Sequence, residues 1–595
     1  MTPLTTYKSA IGRDVLPYLG KPSRYIAAEW NVVVKDPDSV AVRVALAFPD
    51  VYEIGMSHLG LKILYQRLND QSDVMAERVY APWLDAEALL RDRRIPLCSQ
   101  ESGLPLDSFD ILGFTLQYEL SFATILAMLE LGGVPLRAAD RDERHPLVVA
   151  GGPVAFTPEP LAEFIDAFLI GDGEEATLEL AAAVRDWKRE RGRREELLRA
   201  LRGIEGMYVP ALHAAGEVVR KRTAVRLDGV DYGRFPVPYM DVVHDRATIE
   251  VMRGCAQGCR FCQAGYIYRP VREHAASAIQ AMVERSLAGT GYEELSLSSL
   301  SIADLGCLRD LFPSMMRRLA PTKTSLSLPS LRVEALNRNQ DLAAEIAKVR
   351  KTGLTIAPEA GSDRLRRVIN KIGFDEQEIL TAVQQAARAG WESLKFYFMI
   401  GLPTETQADV EEIVRVSGRI DILVNCAGVI YKDLVENLDV AAWQRVMDIN
   451  VTGTMLAARA VVPIMKEKRW GRIINISSMQ ALMGTPQYSA YTASKAAVIG
   501  LTRVWAMELV SYNITVNDLC PSFVRTPLLE RAVEKLGQTE GLSLEEAKER
   551  FVGLVPQRRF LEPEEIAFAA LFLSSKWAQG ITGSSIAIAA GCVLY

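Results

Sequence analysis

The sequence lacks any apolar run long enough to cross a membrane, and it lacks a signal-peptide type of stretch at the N-terminus. The most apolar segment, Phe122–Leu131, is much shorter than the roughly 18 apolar residues that a membrane span needs. It also lacks an excess of positive charge, since 68 Lys and Arg stand against 74 Asp and Glu. We therefore expect a cytoplasmic protein without membrane association, and a nucleic-acid partner is not indicated, although a specific RNA substrate stays open.

The cysteines are also not spread along the chain in the pattern of a disulfide framework. Of the eight cysteines, three lie within eight positions, at Cys255, Cys259 and Cys262, and the other five are scattered. Such clustering indicates a metal or an iron–sulfur cluster in a reducing compartment.

The fold class is predicted to be α/β throughout, because short apolar runs alternate with helical patterns along most of the chain. In the first part this rhythm predicts a doubly wound parallel sheet. Its strands are Val42–Phe48, Asp110–Phe114, Leu147–Ala150 and Ala167–Ile170, and its helices include Leu61–Asn69 and Leu120–Leu131.

From Thr248 five strand–helix units follow one another, which predicts a partial (β/α) barrel. The strands are Ile249–Met252, Glu294–Leu300, Ser325–Pro329, Leu354–Ala357 and Leu394–Ile400, and the helices are Ala276–Leu287, Leu342–Lys351 and Glu376–Ala389. A second, truncated Rossmann-like α/β unit begins near residue 418, with strands at Ile420–Asn425, Arg472–Ile476, Ile514–Asn517 and Ser584–Ile588. The predicted domains are 1–235, 246–415 and 418–595.

Cys255-Ala-Gln-Gly-Cys259-Arg-Phe-Cys262 directly follows the first barrel strand. Three thiolates on one loop can bind three irons of a cubane cluster, and Gly254 and Gly258 permit the tight loop. The alternative is a structural zinc site. Zinc prefers four ligands in paired spacing, and the nearby candidates His274 and Cys307 sit at no recognisable spacing.

This motif resembles the radical S-adenosylmethionine (SAM) superfamily, and the stretch Met252–Arg272 looks like a subfamily with an N-terminal cobalamin-binding-like domain. The similarity covers about residues 15–415. Its other matching segments are Tyr52–Gly60, Ile170–Glu174, Leu297–Leu300, Ala357–Gly361 and Met399–Glu405.

The resemblance implies a 4Fe–4S cluster on the three cysteines and SAM bound to the fourth iron. One electron, from a donor of flavodoxin or ferredoxin type, would then cleave SAM to a 5′-deoxyadenosyl radical that attacks an unknown substrate. The resemblance also places Ser298, Glu359 and Gly401 near SAM. The alternative is that these three are ordinary turn and strand-end residues.

Cobalamin is a doubtful cofactor by the same resemblance. Cobalamin domains that replace the lower base use an Asp-x-His-x-x-Gly loop, and none of the five histidines supplies it. His58 precedes Leu59-Gly60, but Met56 stands where the Asp belongs. The segment Gly171–Ala176 superficially fits a dinucleotide turn, but its carboxylates would repel a pyrophosphate. We predict instead a turn whose acidic residues favour a helix N-terminus.

The C-terminal part carries a second set of catalytic residue types. Tyr491 and Lys495 lie at i and i+4 of a predicted helix, where the ammonium is expected to lower the pKa of the phenol. Ser478 and Asn450 complete a tetrad. With Asn425-Cys-Ala-Gly428, this set resembles the short-chain dehydrogenase/reductase family from about residue 418 to residue 595.

That family opens with three strands and a glycine-rich T-G-x-x-x-G-x-G turn that binds the pyrophosphate of NAD or NADP, and this chain has neither. By the resemblance, Asn425 and Gly428 belong to the fourth strand and face the nucleotide. Ser522 replaces a usual Gly, and Ala589-Ala590 replaces a usual Asp-Gly. NAD(P) is therefore a doubtful cofactor, and the tetrad is predicted to lack one.

Three hypotheses follow. The chain is a radical SAM enzyme with a passenger domain, an NAD(P)-dependent oxidoreductase, or an inactive fusion joined within Val410–Gly418. The barrel also lacks a sixth strand, and one hypothesis is that the apolar strand Ile420–Asn425 fills this gap.

Overall fold

The computed structural model describes residues 10–593, except 28, 215, 225, 226, 228, most of 328–353, 389, 392, 393, 400, 418, 419 and scattered positions from 527 to 539. It separates into two compact units. The first comprises Met1–Glu359 with Arg366–Met399, and the second comprises Ala360–Leu365 with Ile400–Tyr595. Within the part of the chain that the structure describes, no helix is both long and apolar enough to span a bilayer.

The first unit begins with a six-stranded sheet in the order β2-β1-β3-β4-β5-β6. The first five strands are parallel and β6 is antiparallel. The strands are β1 Val42–Phe48, β2 Val74–Tyr80, β3 Ile111–Thr115, β4 Leu147–Gly151, β5 Ala167–Leu169 and β6 Met207–Tyr208. The helices around it are α1 Tyr52–Gly55, α2 Leu59–Asn69, α3 Leu84–Arg93, α4 Phe122–Leu131, α5 Ala176–Glu190 and α6 Arg194–Arg202. A buried apolar cluster lies on each face, which confirms the doubly wound prediction.

Sequence reasoning missed strand β2 because charged residues interrupt its apolar pattern. Arg78 is almost completely buried, and its guanidinium contacts Glu29 at 3.1 Å and Glu101 at 2.6 Å. Buried charges persist only when they are paired, and here both partners lie far away in sequence.

The second half of the first unit holds the barrel-type strands. Strands β7 Ala247–Glu250, β10 Glu294–Ser298 and β11 Ser325–Ser327 form a parallel sheet in the order β11-β10-β7. Strands β8 Met252–Arg253 and β9 Arg272–Glu273 pair antiparallel, and β12 Leu354–Glu359 pairs with β13 Leu394–Phe398. The helices are α7 Ala264–Ile267, α8 Ala276–Thr290, α9 Leu308–Leu319, α10 Asp363–Val368, which begins in the second unit and ends in the first, and α11 Glu376–Arg388. The predicted helix Leu342–Lys351 lies outside the described residues.

The second unit contains a four-stranded parallel sheet in the order β14-β15-β16-β17. Its strands are β14 Ile422–Asn425, β15 Gly471–Ile476, β16 Ile514–Pro521 and β17 Ser585–Ile588. Its helices are α12 Gln407–Ser417, α13 Val440–Met447, α14 Gly453–Lys468, α15 Ser489–Leu509, α16 Leu544–Gly553 and α17 Pro563–Ser574. Strand β14 pairs with β15, so it does not serve as a sixth barrel strand.

Candidate functional site

The three clustered cysteines lie on the loop between β8 and α7. All three are free thiols, with Cys259 buried and the other two half-buried. Gly254 opens the loop at φ +90°, and a Cβ there would lie 2.6 Å from the carbonyl oxygen of Pro270. Only glycine fits this position, as the sequence pattern predicted.

Side chains from distant parts of the chain hold the cysteine loop. Gln257 Nε2 donates to Asp304 Oδ2 at 2.7 Å, and Asn370 Nδ2 donates to the carbonyl oxygen of Gly258 at 2.8 Å. Arg269 Nε donates to the carbonyl oxygen of Cys255 at 3.3 Å. Sequence reasoning missed these positioning residues, because single polar residues in loops carry no recognisable spacing.

The arrangement of the described residues does not separate zinc from an iron–sulfur cluster. Among them, no three His, Cys, Asp or Glu side chains, the three loop cysteines included, converge closely enough to hold a metal ion. Cys307 lies at the N-cap of α9, and the backbone N–H of the buried His274 donates to Val251. The donor set on the loop itself is three thiols, which fits a cluster with one iron left open.

The residues that the resemblance placed near SAM are distributed over both units. Ser298 ends β10 in register with Glu250. Glu359 ends β12 in the left-handed region at φ +68°, and burial raises the pKa of its carboxyl. A left-handed glutamate is strained, and such strain often accompanies a functional position. Gly401, at φ +89°, belongs to the second unit.

The acidic turn Gly171–Ala176 leads directly into helix α5, which begins at Ala176 with Glu175 as its N-cap. Asp172 contacts Arg253 at 3.0 Å and also pairs with Arg272, while Glu174 pairs with Arg253. These arginines stand in strands β8 and β9, on either side of the cysteine loop. The turn lies at a helix N-terminus, as predicted, and the ion pairs were not foreseen because these arginines are far away in sequence.

A cavity of about 430 Å³ lies in the first unit between the N-terminal sheet and the strands that flank the cysteine loop. The carboxyl ends of β3, β4 and β5 line one side, and Met252, Gly254 and Ser298 line the other. In doubly wound sheets ligands bind at this edge, where the strands end.

His58 lines the same cavity in a fixed protonation state. The backbone N–H of Leu61 donates to His58 Nδ1 at 3.0 Å, and the ring also bonds to Gln117. Burial lowers the pKa of His58 to about 4, so the ring is neutral and its proton is on Nε2. A cobalt ligand would need a free lone pair on Nε2, so a histidine-ligated cobalamin does not fit this residue.

In the second unit the four predicted tetrad residues lie together. Asn450 is fully buried in the turn before α14, where its Oδ1 accepts from the N–H of Val429 at 2.8 Å. Tyr491 bonds to Ser478, and Lys495 Nζ donates to the carbonyl oxygen of Ile476 at 2.8 Å.

Asn425 and Gly428 lie beside the tetrad. Asn425 Nδ2 donates to Asn475 Oδ1 at 2.8 Å. A Cβ at Gly428 would lie only 3.2 Å from Lys495 Nζ and 3.5 Å from Asn450 Oδ1, so a small residue permits their approach.

The expected effect of Lys495 on Tyr491 is not observed. Burial raises the pKa of the Tyr491 phenol, and its bond with Ser478 only offsets part of that effect. Burial also lowers the pKa of Lys495 to about 8. Desolvation is the largest influence on the pKa of both groups, and at Tyr491 it acts in the direction opposite to the predicted one.

Comparisons with known protein families match three family models to this chain. The family model described as radical SAM proteins, N-terminal, matches residues 60–210, and that of the radical SAM superfamily matches residues 249–416. A third model, enoyl-(acyl carrier protein) reductase, matches residues 366–592. The last two matches share residues 366–416, and that stretch contains no glycine-rich turn.

Curated relatives are found for both parts. D-beta-hydroxybutyrate dehydrogenase of Cupriavidus necator is 34% identical over 237 residues, which are 39% of this chain and 90% of that protein. An uncharacterized protein of Methanocaldococcus jannaschii is 27% identical over 379 residues, 63% of this chain and 73% of that protein. A crystal structure of a short chain dehydrogenase family protein from Francisella tularensis is 28% identical with a TM-score of 0.30, over 34% of this chain and 82% of that one. The chain therefore belongs to the radical SAM superfamily through its N-terminal and core domains, and its C-terminal part is a member of the short-chain dehydrogenase/reductase family.

Proposed function

We propose that Cys255, Cys259 and Cys262 are the protein ligands of the 4Fe–4S cluster that the radical SAM family implies. The observation that carries this proposal is a loop with three free thiols whose backbone is hydrogen-bonded by side chains at Cys255 and Gly258. When bound, the cluster supplies the electron that cleaves SAM. The chain's own contribution is to hold three sulfur atoms and to leave one iron without a protein ligand.

Ser298 and Glu359 are proposed to contact SAM from the ends of β10 and β12. Parallel strands present residues at their carboxyl ends to a common site, which supports both assignments. Lys371 Nζ lies 3.6 Å from Glu359 Oε1 and limits the rise in the pKa of this carboxyl. Gly401, with no side chain and open space around its Cα, is proposed to let SAM approach the backbone.

The reductant is proposed to be of the flavodoxin or ferredoxin type, because the cluster needs a one-electron donor of low potential. A reducing compartment such as the cytoplasm is proposed because all eight cysteines are free. We propose domain boundaries at 1–235, 246–415 and 418–595.

Anaerobic reconstitution tests this function directly. The wild-type chain should bind four irons and four sulfides and form 5′-deoxyadenosine from SAM and dithionite. Stoichiometric zinc without iron, or a cluster that forms no 5′-deoxyadenosine, would contradict the proposal.

The second candidate function is an NAD(P)-dependent oxidoreductase, favoured by the assembled tetrad of Asn450, Ser478, Tyr491 and Lys495. We propose that this unit does not use NAD(P). The described second-unit sheet starts at the strand that carries Asn425, and its sequence has no glycine-rich turn to hold the pyrophosphate.

A further inference from the structure

Two exposed arginines lie side by side at the cysteine loop of the first unit. Arg260 belongs to the loop, and its guanidinium donates to the carbonyl oxygen of Val368. The backbone N–H of Arg260 donates to the carbonyl oxygen of Ile369 at 2.9 Å. Arg367, which precedes Val368, is exposed as well. The segment 367–369 therefore packs against the loop and places a second arginine next to Arg260.

Arg269 and two exposed apolar side chains extend this surface. A Cβ at Gly258 would lie 3.3 Å from Arg269 Nη2 and 3.4 Å from Asn370 Nδ2, so both side chains meet the loop at the same point. The ring of Tyr266 lies 4.9 Å from the guanidinium carbon of Arg269 and is 53% exposed. Ile372, two residues after Asn370, is 51% exposed. We call these five residues the arginine surface: Arg260, Tyr266, Arg269, Arg367 and Ile372. None of them lines the cavity described above.

The three arginines of this surface have no carboxylate partner. Among the described residues, none of Arg260, Arg269 and Arg367 forms an ion pair. By contrast, Arg253 and Arg272, in the strands on either side of the loop, are paired with the acidic turn 171–176. The carboxylates of that turn are therefore already engaged, and the charge of the three arginines stays available to a partner.

Other charged groups near the loop do not cancel this charge. Lys221 adds a cation, because its ammonium donates to two main-chain carbonyl oxygens, one of them that of Arg269. Lys371 and Glu359 offset each other, since Lys371 Nζ lies 3.6 Å from Glu359 Oε1. Asp304 contributes one negative charge and accepts from the loop at 2.7 Å.

The acidic residues beyond Ile372 belong to the start of α11. Asp375 and Glu378 each accept the backbone N–H of the other at 2.9 Å, and Glu376 lies in the same turn. Carboxylates at this position are balanced by the helix N-terminus. The described residues around the loop therefore leave the arginine surface with an excess of positive charge.

The size and composition of this surface favour an acidic protein over a nucleic acid. Three unpaired guanidiniums are fewer than the roughly six to ten phosphate contacts of a strongly salt-dependent nucleic-acid complex. The chain as a whole is also acidic, with a net charge of -6. Arginine beside exposed aromatic and aliphatic groups is typical of protein interfaces, and a small patch suits the brief encounters of redox partners.

We propose that the arginine surface docks a small acidic redox protein, which delivers one electron to the site of the three cysteines. This inference rests on the proposed function and adds the place and the charge of the contact. In the step, the partner loses one electron and the cluster gains it, and no bond or proton is transferred. Arg260 stands between Cys259 and Cys262, so a protein seated on this surface lies next to the ligands of the cluster.

Kinetics with two reductants test the surface. The reconstituted full chain is supplied with dithionite or with an acidic flavodoxin in its hydroquinone form, and 5′-deoxyadenosine is measured. In Arg367→Glu, and more strongly in Arg260→Gln with Arg367→Glu, the flavodoxin concentration at half-maximal rate should rise, in the double variant at least tenfold. The iron content and the dithionite-driven rate should stay unchanged. Added salt should weaken the flavodoxin reaction more in the wild type than in the double variant, because salt screens exposed charges.

Arg94→Glu is the matched control. Arg94 is exposed and follows the last residue of α3, which returns from the carboxyl edge of the N-terminal sheet toward its amino edge, away from the cysteine loop. The same change of charge there should leave the flavodoxin reaction as in the wild type. An equal effect in this control would show that net charge, and not the arginine surface, is responsible, and would overturn the proposal.

The remaining outcomes are equally decisive. A double variant that uses flavodoxin like the wild type would overturn the proposal, and so would an Arg367→Glu variant that loses iron or dithionite-driven activity, since the arginine would then be structural. Duplex DNA that binds the wild type more tightly than flavodoxin, and is lost in the double variant, would assign the surface to nucleic acid. A wild type without dithionite-driven 5′-deoxyadenosine contradicts the radical function itself. Calorimetry of flavodoxin binding to that protein and to the double variant would still decide whether the surface docks it.

Discussion

At the scale of single residues, the place of a cysteine in the fold decides how well its thiol can serve as a metal ligand. Cys255, Cys259 and Cys262 share one loop, whereas Cys98 is buried in the N-terminal sheet layer and burial raises the pKa of its thiol to about 12. A thiol is a metal ligand only as the thiolate. The raised pKa therefore disfavours Cys98 as a metal ligand in this fold.

Replacing any one of the three loop cysteines by Ala should abolish cluster retention and SAM cleavage, because each thiolate holds one iron. Iron and sulfide analysis and the formation of 5′-deoxyadenosine measure both effects. Cys307→Ala is the matched control, since Cys307 is a half-buried free thiol at the start of α9. If this control loses its cluster as well, the assignment of three ligands is incomplete.

His58 should make the first unit sensitive to acid. Its folded pKa of about 4 lies below the ordinary 6.5, so its contribution to stability is present above pH 6.5 and is lost as pH falls toward 4. His58→Asn keeps a residue that caps helix α2 well but removes the titration. The free energy of unfolding of the variant, measured by urea denaturation, should therefore fall less steeply than that of the wild type between pH 6.5 and 4, by at most about 1.4 kcal/mol per pH unit. Parallel curves for the two proteins would contradict this.

At the scale of secondary-structure elements, strand β14 is more exposed than the central strands β15 and β16 of its sheet. It stands at the edge of its sheet, and its outward residues Ile422 and Val424 are 46% and 42% exposed. Central strands β15 and β16 are buried almost throughout. An apolar edge strand with free backbone groups is a template for pairing with another chain.

The double change Ile422→Lys and Val424→Lys should reduce self-association while it changes the free energy of unfolding little, because both side chains are exposed. Sedimentation velocity over a range of concentrations measures the effect. Val440→Lys, at a position 79% exposed in helix α13, adds charge away from the edge and serves as control. The same loss of association in both variants would show that net charge, not the edge, is responsible.

At the scale of the whole molecule, the chain carries two sets of candidate site residues, one in each of its two compact units. The first unit contains the cysteine loop, the acidic turn and the cavity, and the second contains the tetrad. The chain joins a radical SAM core to a short-chain dehydrogenase/reductase part whose sequence contains no T-G-x-x-x-G-x-G turn. We therefore propose radical chemistry as the activity of the chain.

Titration of the purified chain with NADH should show no saturable micromolar binding, and no alcohol should be oxidised with NAD or NADP. The helix N-terminus and glycine-rich turn that hold a pyrophosphate are absent from the sequence, and loss of positioning forfeits roughly 7–11 kcal/mol of rate advantage. NADH fluorescence is the measurement. Saturable binding that disappears in the double variant Tyr491→Phe, Lys495→Ala would restore the dehydrogenase hypothesis.

Much of the fold was predictable because local patterns carry it. Buried parallel strands are continuous apolar runs, so β1, β3, β4 and β5 were recognised, whereas β2 was missed because Glu77 and Arg78 interrupt it. The cysteine loop and the Tyr491–Lys495 pair were predictable because each depends on a short spacing, i to i+7 and i to i+4. Asn450 and Ser478 were added to that pair by the family resemblance. Asp304 and Asn370 were not, because they reach the loop only through the folding of distant segments.

The sequence by itself determined the α/β class, the three thiols, the tetrad and the absence of the glycine-rich turn, since these follow from residue type and spacing. Only the tertiary structure decided the protonation state of His58, the raised pKa of Tyr491, the partners of Asp172 and Glu174, and the cavity above Gly113 and Gly151. The physical reason is that desolvation, ion pairing and packing depend on neighbours in space, and those neighbours lie up to about a hundred residues away along the chain.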